Sequence, residues 1–367
     1  MNNTFEICAY DHYFGEDQVA ALQKCYNGLL LIDECIHQED QKILNVRSLS
    51  DGGNQYRFPH AYKGLGIVKN IMKRTTPSGE ESSKTIYVAN SKYLFFRNYT
   101  PLDKFKTEVT NVSVVAHPYS SPNSFKVLQL GQQLLEFTGE ALNIASIGHS
   151  KHQGIRFPAS CNDFLSIGVH DKEGVLSDRC PYDKAKNKPE ITLLDAAFLT
   201  VDEHDTPSTF SGTSAAVNII SAAAHLLSCT ENITQAVQLK AAMMCFTTPS
   251  KLGHRLLCNN LVNKINNCQL HQFLFDNSSR EIRINLVREK ALKKIAIISR
   301  CGIKRSQWEI PPAELSVELV GKENTLNFAS NAWLVIDLDT DVSAQELTIN
   351  IQGAFSEIAI CIYGEKF

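Results

Sequence analysis

A chain of 367 residues, 43% of them hydrophobic and 20% charged, has the composition of a globular protein and enough length for one large domain and a smaller one. A formal net charge of −3, without any long basic block, argues against a nucleic-acid-binding surface. No apolar run approaches the ~18–20 residues of a bilayer span, and the N-terminus has no secretory pattern. We therefore expect a cytoplasmic protein with neither nucleic acid nor membrane as a partner.

The first predicted elements are a short helix at residues 17–24 and a strand, LLLID, that ends at Asp33. An unbroken apolar run bounded by turn residues is typical of a strand that is buried on both faces of a parallel sheet. The polar stretch 34–56 is predicted to be a loop. Pro59 and His60 then open a helix whose apolar residues recur at helical spacing.

Four further strands are predicted at residues 84–89, 109–116, 141–148 and 163–169. A helix is predicted between the second and the third of them, at residues 124–139. Strands that alternate with helices indicate βαβ units, and therefore an α/β fold with a doubly wound, mostly parallel sheet. In such sheets the reactive residues gather beyond the carboxyl ends of the strands, which is where Asp33 stands.

A serine follows at the start of an apolar helix, in the segment FSGTSAAVNIISAAAHLL at residues 210–227. Gly212 and Thr213 let the chain turn tightly, so that Ser214 sits at the positive end of the helix. This is a favourable position for a nucleophilic hydroxyl, because negative charge that develops nearby meets the helix N-terminus. The alternative is that Ser214 only caps the helix.

The character of the sequence changes after residue 277, where segments rich in β-branched residues are separated by polar turns. This pattern predicts a small antiparallel β-sandwich. The predicted domains are residues 1–277 and a C-terminal sandwich at residues 278–367, which offers a docking surface for a regulatory partner. Within the first domain, the charged segment 178–190 is predicted to be an exposed loop, and residues 233–246 are predicted to form its last helix.

The eleven cysteines include no C-x-x-C pair, which argues against a zinc ribbon and against a thioredoxin-type redox motif. Without a signal peptide, we expect reduced thiols, many of them buried as small apolar side chains. The histidines lack the spacing of metal ligands, so no catalytic metal and no cofactor is predicted. A structural calcium ion stays open as an alternative, because acidic residues are scattered through the loops.

Three residues in chain order suit acyl transfer, in which a carboxylate orients an imidazole and the imidazole makes a hydroxyl nucleophilic. They are Asp33, His60 and Ser214. The segment GTSAAV matches the nucleophile motif Gly-Thr-Ser-Met-Ala. The strand LLLID matches the strand that ends in Asp-Ser/Thr-Gly. The segment from His60 to Gly66 matches His-Gly-Thr-His-Val-Ala-Gly. On these segments the chain resembles the subtilisin-like serine proteases, whose catalytic residues follow the same order.

The resemblance implies roles for the three residues: Asp33 orients His60, His60 deprotonates Ser214, and Ser214 forms the acyl-enzyme. It also implies that an extended protein or peptide substrate pairs with one strand of the chain. Sheet core is the alternative for the two valines of that strand. The residues assigned to this substrate-binding strand are Ser113, Val114, Val115 and Ala116.

The oxyanion hole departs from the family pattern, because His149 stands where the family has an asparagine. A ring N–H of His149 is able to replace the amide donor, so the predicted hole consists of His149 and the backbone N–H of Ser214. The alternative is a loop histidine and a defective hole.

The leading interpretation is a serine endopeptidase. Other departures, such as Glu34 and Cys35 after Asp33, keep a second interpretation open, a pseudoprotease that binds peptides without cleaving them. A ligase or an esterase that uses the same acyl-enzyme is the third.

Overall fold

The computed structural model of the chain describes residues 7–8, 10–19, 28–34, 36–37, 39–40, 44, 46–48, 57–76, 86–91, 112–123, 134–135, 138–251, 253–286, 292–300, 313–338 and 344–365. The helices, strands and contacts given below belong to these residues.

A nine-stranded sheet forms the centre of the larger part of the molecule. Its strands are β2 (Gly28–Asp33), β3 (Val46–Ser48), β4 (Ile86–Asn90), β5 (Val112–His117), β6 (Leu142–Ser146), β7 (Leu165–His170), β8 (Ile191–Leu194), β11 (Thr247–Pro249) and β12 (Arg255–Leu257). They lie in the order β11-β12-β8-β7-β6-β5-β2-β4-β3, and every neighbouring pair is parallel except β11 and β12. The strands at the middle of the sheet are buried throughout, which is why they read as unbroken apolar runs.

A second, three-stranded sheet leads into the helix that carries Ser214. It has the order β1-β9-β10, from β1 (Ile7–Cys8), β9 (Ala197–Val201) and β10 (Pro207–Ser211). Strand β10 pairs with β9 in antiparallel fashion and runs directly into the longest helix, which begins at Gly212. This connection sets where Ser214 emerges.

The helices are α1 (Asp11–Phe14), α2 (Pro59–Thr75), α3 (Gly212–Glu231), α4 (Ala236–Cys245) and α5 (Leu261–Asn266). Helix α3 has the length of a membrane span, and its most apolar 18-residue window has a mean hydropathy of 1.2, but 89% of that window is buried inside the protein. It packs against α2 and against β5, β6 and β7. Small residues allow the two helices to approach closely: a Cβ added at Gly64 of α2 would stand 2.8 Å from the Asn218 side chain of α3.

The C-terminal region consists of two four-stranded antiparallel sheets. One has the order β13-β20-β15-β18, from β13 (Cys268–Asp276), β15 (Leu292–Arg300), β18 (Trp333–Asp337) and β20 (Glu357–Glu365). The other has the order β14-β19-β16-β17, from β14 (Glu281–Asn285), β16 (Glu314–Gly321), β17 (Thr325–Asn331) and β19 (Ala344–Gln352).

Strand β20 is buried on both faces and joins the two parts of the molecule. Ile358, Ile360 and Ile362 face the β14-β19-β16-β17 sheet and belong to the core of the sandwich. Ala359 and Cys361 belong instead to the core of the larger part, where β20 lies on α4. Because a strand alternates its side chains, one face of β20 carries three isoleucines and the other carries Ala359, Cys361 and Tyr363.

The expected large, mostly parallel sheet with helices and additional antiparallel sheets is confirmed. The division at residue 278 stays a prediction, but strand β13 already pairs with β20, so the antiparallel sheets begin ahead of it. The predicted loop 34–56 contains β3, an edge strand. Residues 17–19 are not helical, and 20–24, like most of the predicted helix 124–139, lie outside the described residues.

Two expectations about side chains are wrong. The segment 178–190 is not exposed throughout: Lys188 and Glu190 are 2% and 1% exposed. The expectation of thiols alone also fails, because Cys229 is disulfide-bonded. Six free cysteines have side chains that the structure describes, and these are buried, namely Cys161, Cys180, Cys245, Cys258, Cys268 and Cys361.

Candidate active site

Asp33 and His60 meet at the carboxyl ends of the strands of the large sheet. Asp33 is the last residue of β2 and is 3% exposed, and His60 is the second residue of α2, after a proline at the first helical position. The Nδ1 atom of His60 lies 2.8 Å from Oδ1 and 2.9 Å from Oδ2 of Asp33. A carboxylate accepts, so Nδ1 carries a proton, and in the neutral ring Nε2 keeps a lone pair.

The surroundings of His60 favour its charged form. Burial opposes the imidazolium, but the charge of Asp33 and its hydrogen bond outweigh burial, and together they raise the pKa of His60 above 6.5. The backbone N–H of Glu34 donates to Asp33 Oδ1 at 2.8 Å and fixes the carboxylate. The ring of Phe210 meets the imidazole edge-on, with 4.9 Å between the centroids.

Ser214 is the third residue of α3 and is half-buried. The N-cap of the helix is Ser211, so Ser214 does not cap it and that alternative is wrong. Gly212, which begins the helix, has a φ of +76°, a conformation that favours glycine. The Ser214 hydroxyl donates to the carbonyl oxygen of Pro118 at 2.6 Å.

His60, Ser214 and His149 line one cavity of about 340 Å³. His149 follows β6 and is exposed. The structure thus brings all the predicted catalytic and oxyanion residues to one place, at the carboxyl ends of β2 and β6 and at the N-terminus of α3. Such an edge is where doubly wound sheets bind their ligands.

Thr213 ties the loop of His149 to the start of α3. Its hydroxyl donates to the carbonyl oxygen of Gly148 at 3.1 Å and stands 2.8 Å from Ser146 Oγ, which therefore donates to it. Gly148 has a φ of +113°, and a Cβ there would stand 2.9 Å from the Arg156 side chain. In the sequence, Thr213 stands out only as part of the turn before Ser214. Its two hydrogen bonds make it a positioning residue of the site.

The prediction that residues 113–116 bind substrate is wrong. Ser113, Val114, Val115 and Ala116 are all buried, and β5 pairs with β2 on one side and β6 on the other. No edge of this strand is left for a peptide, so the sheet-core alternative holds. The residues after the strand line the cavity instead, namely Pro118, Tyr119 and Ser120. Pro118, which cannot continue a central strand, is the signal that marks this exit.

A guanidinium completes the described wall of the cavity. Arg179 lines it, and Asp195 lies behind, with its carboxylate 3.8 Å from Arg179 Nε. Among the residues that the structure describes, no three His, Cys, Asp or Glu side chains are grouped so that they could hold a metal ion.

No protein-family model matches the chain, and no curated protein matches it. Solved structures do. A lanthipeptide protease is 15% identical, with a TM-score of 0.50, over 66% of this chain and 88% of that one. The nisin leader peptidase NisP from Lactococcus lactis is 13% identical, with a TM-score of 0.47, over 65% and 87%. The prenylagaramide maturation protease PagA is 17% identical, with a TM-score of 0.44, over 62% and 85%.

At 15% identity, the likeness to the lanthipeptide protease concerns the fold alone. Fold and site therefore define an α/β protein that shares the fold of the lanthipeptide protease. In one of its cavities stand a helix-start serine and a histidine that is hydrogen-bonded to Asp33.

Proposed function

We propose that this chain is a subtilisin-like serine endopeptidase that hydrolyses peptide bonds through an acyl-enzyme. One observation carries the proposal: Asp33 holds His60 Nδ1 with both carboxylate oxygens, while His60 and Ser214 line the same cavity. The fold shared with the lanthipeptide protease supports it. By its name, that structure is a protease of a lanthipeptide, and we propose a peptide substrate here as well.

In the proposed reaction, the Ser214 hydroxyl turns from the Pro118 carbonyl toward Nε2 of His60, which takes its proton. The Oγ atom attacks the scissile carbonyl carbon, and Asp33 stabilises the imidazolium that forms. His60 then gives the proton to the leaving amine. Water, deprotonated by the same imidazole, hydrolyses the ester and restores Ser214.

The tetrahedral oxyanion needs donors at the start of α3. The first N–H groups of a helix have no partner within it, which makes the Ser214 backbone N–H available. His149, on the facing loop that Thr213 holds, is the proposed second donor.

A second candidate, a peptide-binding pseudoprotease, is favoured by one contact. The Ser214 hydroxyl donates its proton to the Pro118 carbonyl oxygen instead of to the imidazole. If that bond persists in the bound state, the cavity holds a peptide without attacking it.

A fluorophosphonate probe distinguishes the two candidates. We expect the wild-type chain to be labelled, and Ser214→Ala to lose labelling completely, because the substitution removes the proposed nucleophile. Ser211→Ala is the matched control, since Ser211 precedes the same helix and lines the same cavity. It should keep the label. A wild type that is folded but unlabelled favours the pseudoprotease. If Ser214→Ala is still labelled, Ser214 is not the nucleophile.

Substitution of His149 tests the oxyanion hole. Loss of one such donor typically lowers turnover about 10²–10³-fold, so we expect His149→Ala to fall by that factor. His149→Asn, which restores an amide donor, should lose much less. Turnover of a fluorogenic peptide is the measurement, with labelling of Ser214 as a check on the nucleophile. If both variants match the wild type, His149 is not a donor.

A further inference from the structure

A buried ammonium is bound by three backbone carbonyls near the site. Lys188 is 2% exposed, and its Nζ donates to the carbonyl oxygens of Ala159, Cys161 and Phe164 at 2.6, 2.7 and 3.2 Å. An ammonium has three N–H groups and no acceptor, so these three oxygens satisfy it completely. We call the three carbonyls the 159–164 cage.

The cage has the donor set of a cation site. Several carbonyl oxygens converging on one point, with a carboxylate nearby, are what proteins offer to hard metal ions. The carboxylate is that of Glu190, whose Oε2 lies 3.9 Å from Lys188 Nζ. Burial lowers the pKa of Lys188 to about 8 although Glu190 acts in the opposite sense, so the group is still largely charged at pH 7.

A buried ion pair alone does not explain where this ammonium lies. Glu190 is bound more closely by another lysine, with 2.5 Å between its Oε1 and Lys240 Nζ. Lys188 stands farther from the carboxylate and within hydrogen-bond distance of all three carbonyls. Its position therefore follows the cage.

The cage lies in the segment that joins the two walls of the cavity. Phe157 exchanges two backbone hydrogen bonds with Ser121, of 2.9 and 3.0 Å, directly after the wall residue Ser120. On the other side, the Arg156 N–H donates to the Ile147 carbonyl at 3.2 Å, two residues before His149. A contact that fixes residues 159–164 therefore also supports the wall at Ser120 and the wall at His149.

We propose that Lys188 is an internal cation, which occupies the 159–164 cage in the place of a dissolved ion and holds both walls of the cavity. Lys188 is in this sense a positioning residue, joined to the site through Phe157 and Arg156. The proposal does not depend on the activity proposed for Ser214.

Removing the ammonium while leaving room for an ion tests this. In tetramethylammonium chloride, which is too large for the cage, we expect Lys188→Ala to melt on the order of 5–10 °C below the wild type. Ammonium or potassium chloride at the same ionic strength should recover a large part of the loss, and the gain should saturate as binding to the folded state requires. Lys188→Met, which fills the space with an apolar chain, should show no recovery.

A second measurement reports on the walls. The rate at which the fluorophosphonate labels Ser214 should fall about tenfold in Lys188→Ala and should rise again with the same ions, at the concentrations that restore melting. Labelling of the wild type tests the proposed activity separately. Should the wild type not be labelled, the melting experiment still decides the question of the cation.

Several outcomes would overturn the inference. One is a Lys188→Ala variant that responds equally to tetramethylammonium and ammonium, and another is an equal recovery in Lys188→Met. If neither variant folds, the wild type decides. A wild-type melting temperature that is the same in tetramethylammonium chloride and in potassium chloride, both with chelator and at equal ionic strength, supports an internal cation. A rise that is specific to potassium contradicts it.

Discussion

Asp33→Asn is expected to remain folded and to lose about 10⁴-fold in peptide turnover, the size of effect seen when this position is neutralised in Ser-His-Asp enzymes. The present carboxylate accepts from His60 Nδ1 with both oxygens. The amide of an asparagine is able to donate to Nδ1, which moves the ring proton to Nε2. The ring then presents a proton to Ser214 where catalysis needs a base.

The pH profile should shift in a defined direction. His60 acts as the base when it is neutral, so activity rises as the pH passes upward through its pKa. Burial alone would lower the pKa of His60, and Asp33 raises it above 6.5. Without the charge of Asp33, the pKa falls, so the remaining activity of Asp33→Asn should begin at a lower pH than that of the wild type.

The measurement is kcat/KM for a fluorogenic peptide from pH 5 to 9, in the wild type and the variant. Glu34→Gln is the matched control, because it removes the neighbouring negative charge and leaves both oxygens of Asp33 on His60. It should keep most of the turnover. A variant Asp33→Asn that retains more than a tenth of wild-type activity would count against the role of the carboxylate.

The site residues that sequence reasoning could find are those with a strong local signal. Asp33 ends an unbroken apolar strand, His60 follows the proline that opens α2, and Ser214 follows the tight turn at Gly212. Each signal places a residue at an element boundary, and the parallel sheet then brings the boundaries to one edge. Their order in the chain, together with the matching segments around each of them, was enough to predict that they meet.

What sequence reasoning missed depends on pairing across the fold. Val114 and Val115 suit a strand that binds a peptide as well as one at the centre of a sheet, and only the partners β2 and β6 decide between them. Lys188 is charged and lies in a polar segment, which predicts exposure. Its burial requires three carbonyls contributed from residues 159–164, and no local pattern announces these.

The largest effect on stability is expected at Glu190. This residue, 1% exposed, faces two buried ammonium groups, Lys240 at 2.5 Å and Lys188 at 3.9 Å. Removal of one member of a buried ion pair typically costs about 3–5 kcal/mol, because a charge is left without compensation. We expect a loss of this size in the free energy of unfolding of Glu190→Gln.

The geometry around the carboxylate explains why glutamine does not substitute for it. Oε2 accepts from the backbone N–H and the hydroxyl of Ser166, at 2.7 and 2.9 Å, and Oε1 accepts from Lys240. The amide of glutamine has one oxygen for these two sides. Its NH₂ group must therefore point at a donor, whichever way the side chain is turned.

The pH dependence of this loss has a definite sign. Burial would raise the pKa of Glu190, but the charges of Lys240 and Lys188 outweigh burial and lower it below 4.5. A carboxyl whose pKa is lower in the folded state stabilises the fold above its unfolded pKa, and the effect disappears as the pH falls through the folded value. The part of the difference that comes from the carboxylate itself should therefore be lost only as the pH falls below about 4.5.

Urea unfolding at pH 7 measures the loss, and a double variant shows its origin. Glu190→Met with Lys240→Met replaces the close ion pair by apolar side chains, which is often nearly neutral in buried sites. It should be more stable than Glu190→Gln alone, although Lys188 then keeps its three carbonyls without a nearby carboxylate. If Glu190→Gln loses less than about 1 kcal/mol, or if the double variant is the less stable of the two, charge compensation is not what holds this part of the core.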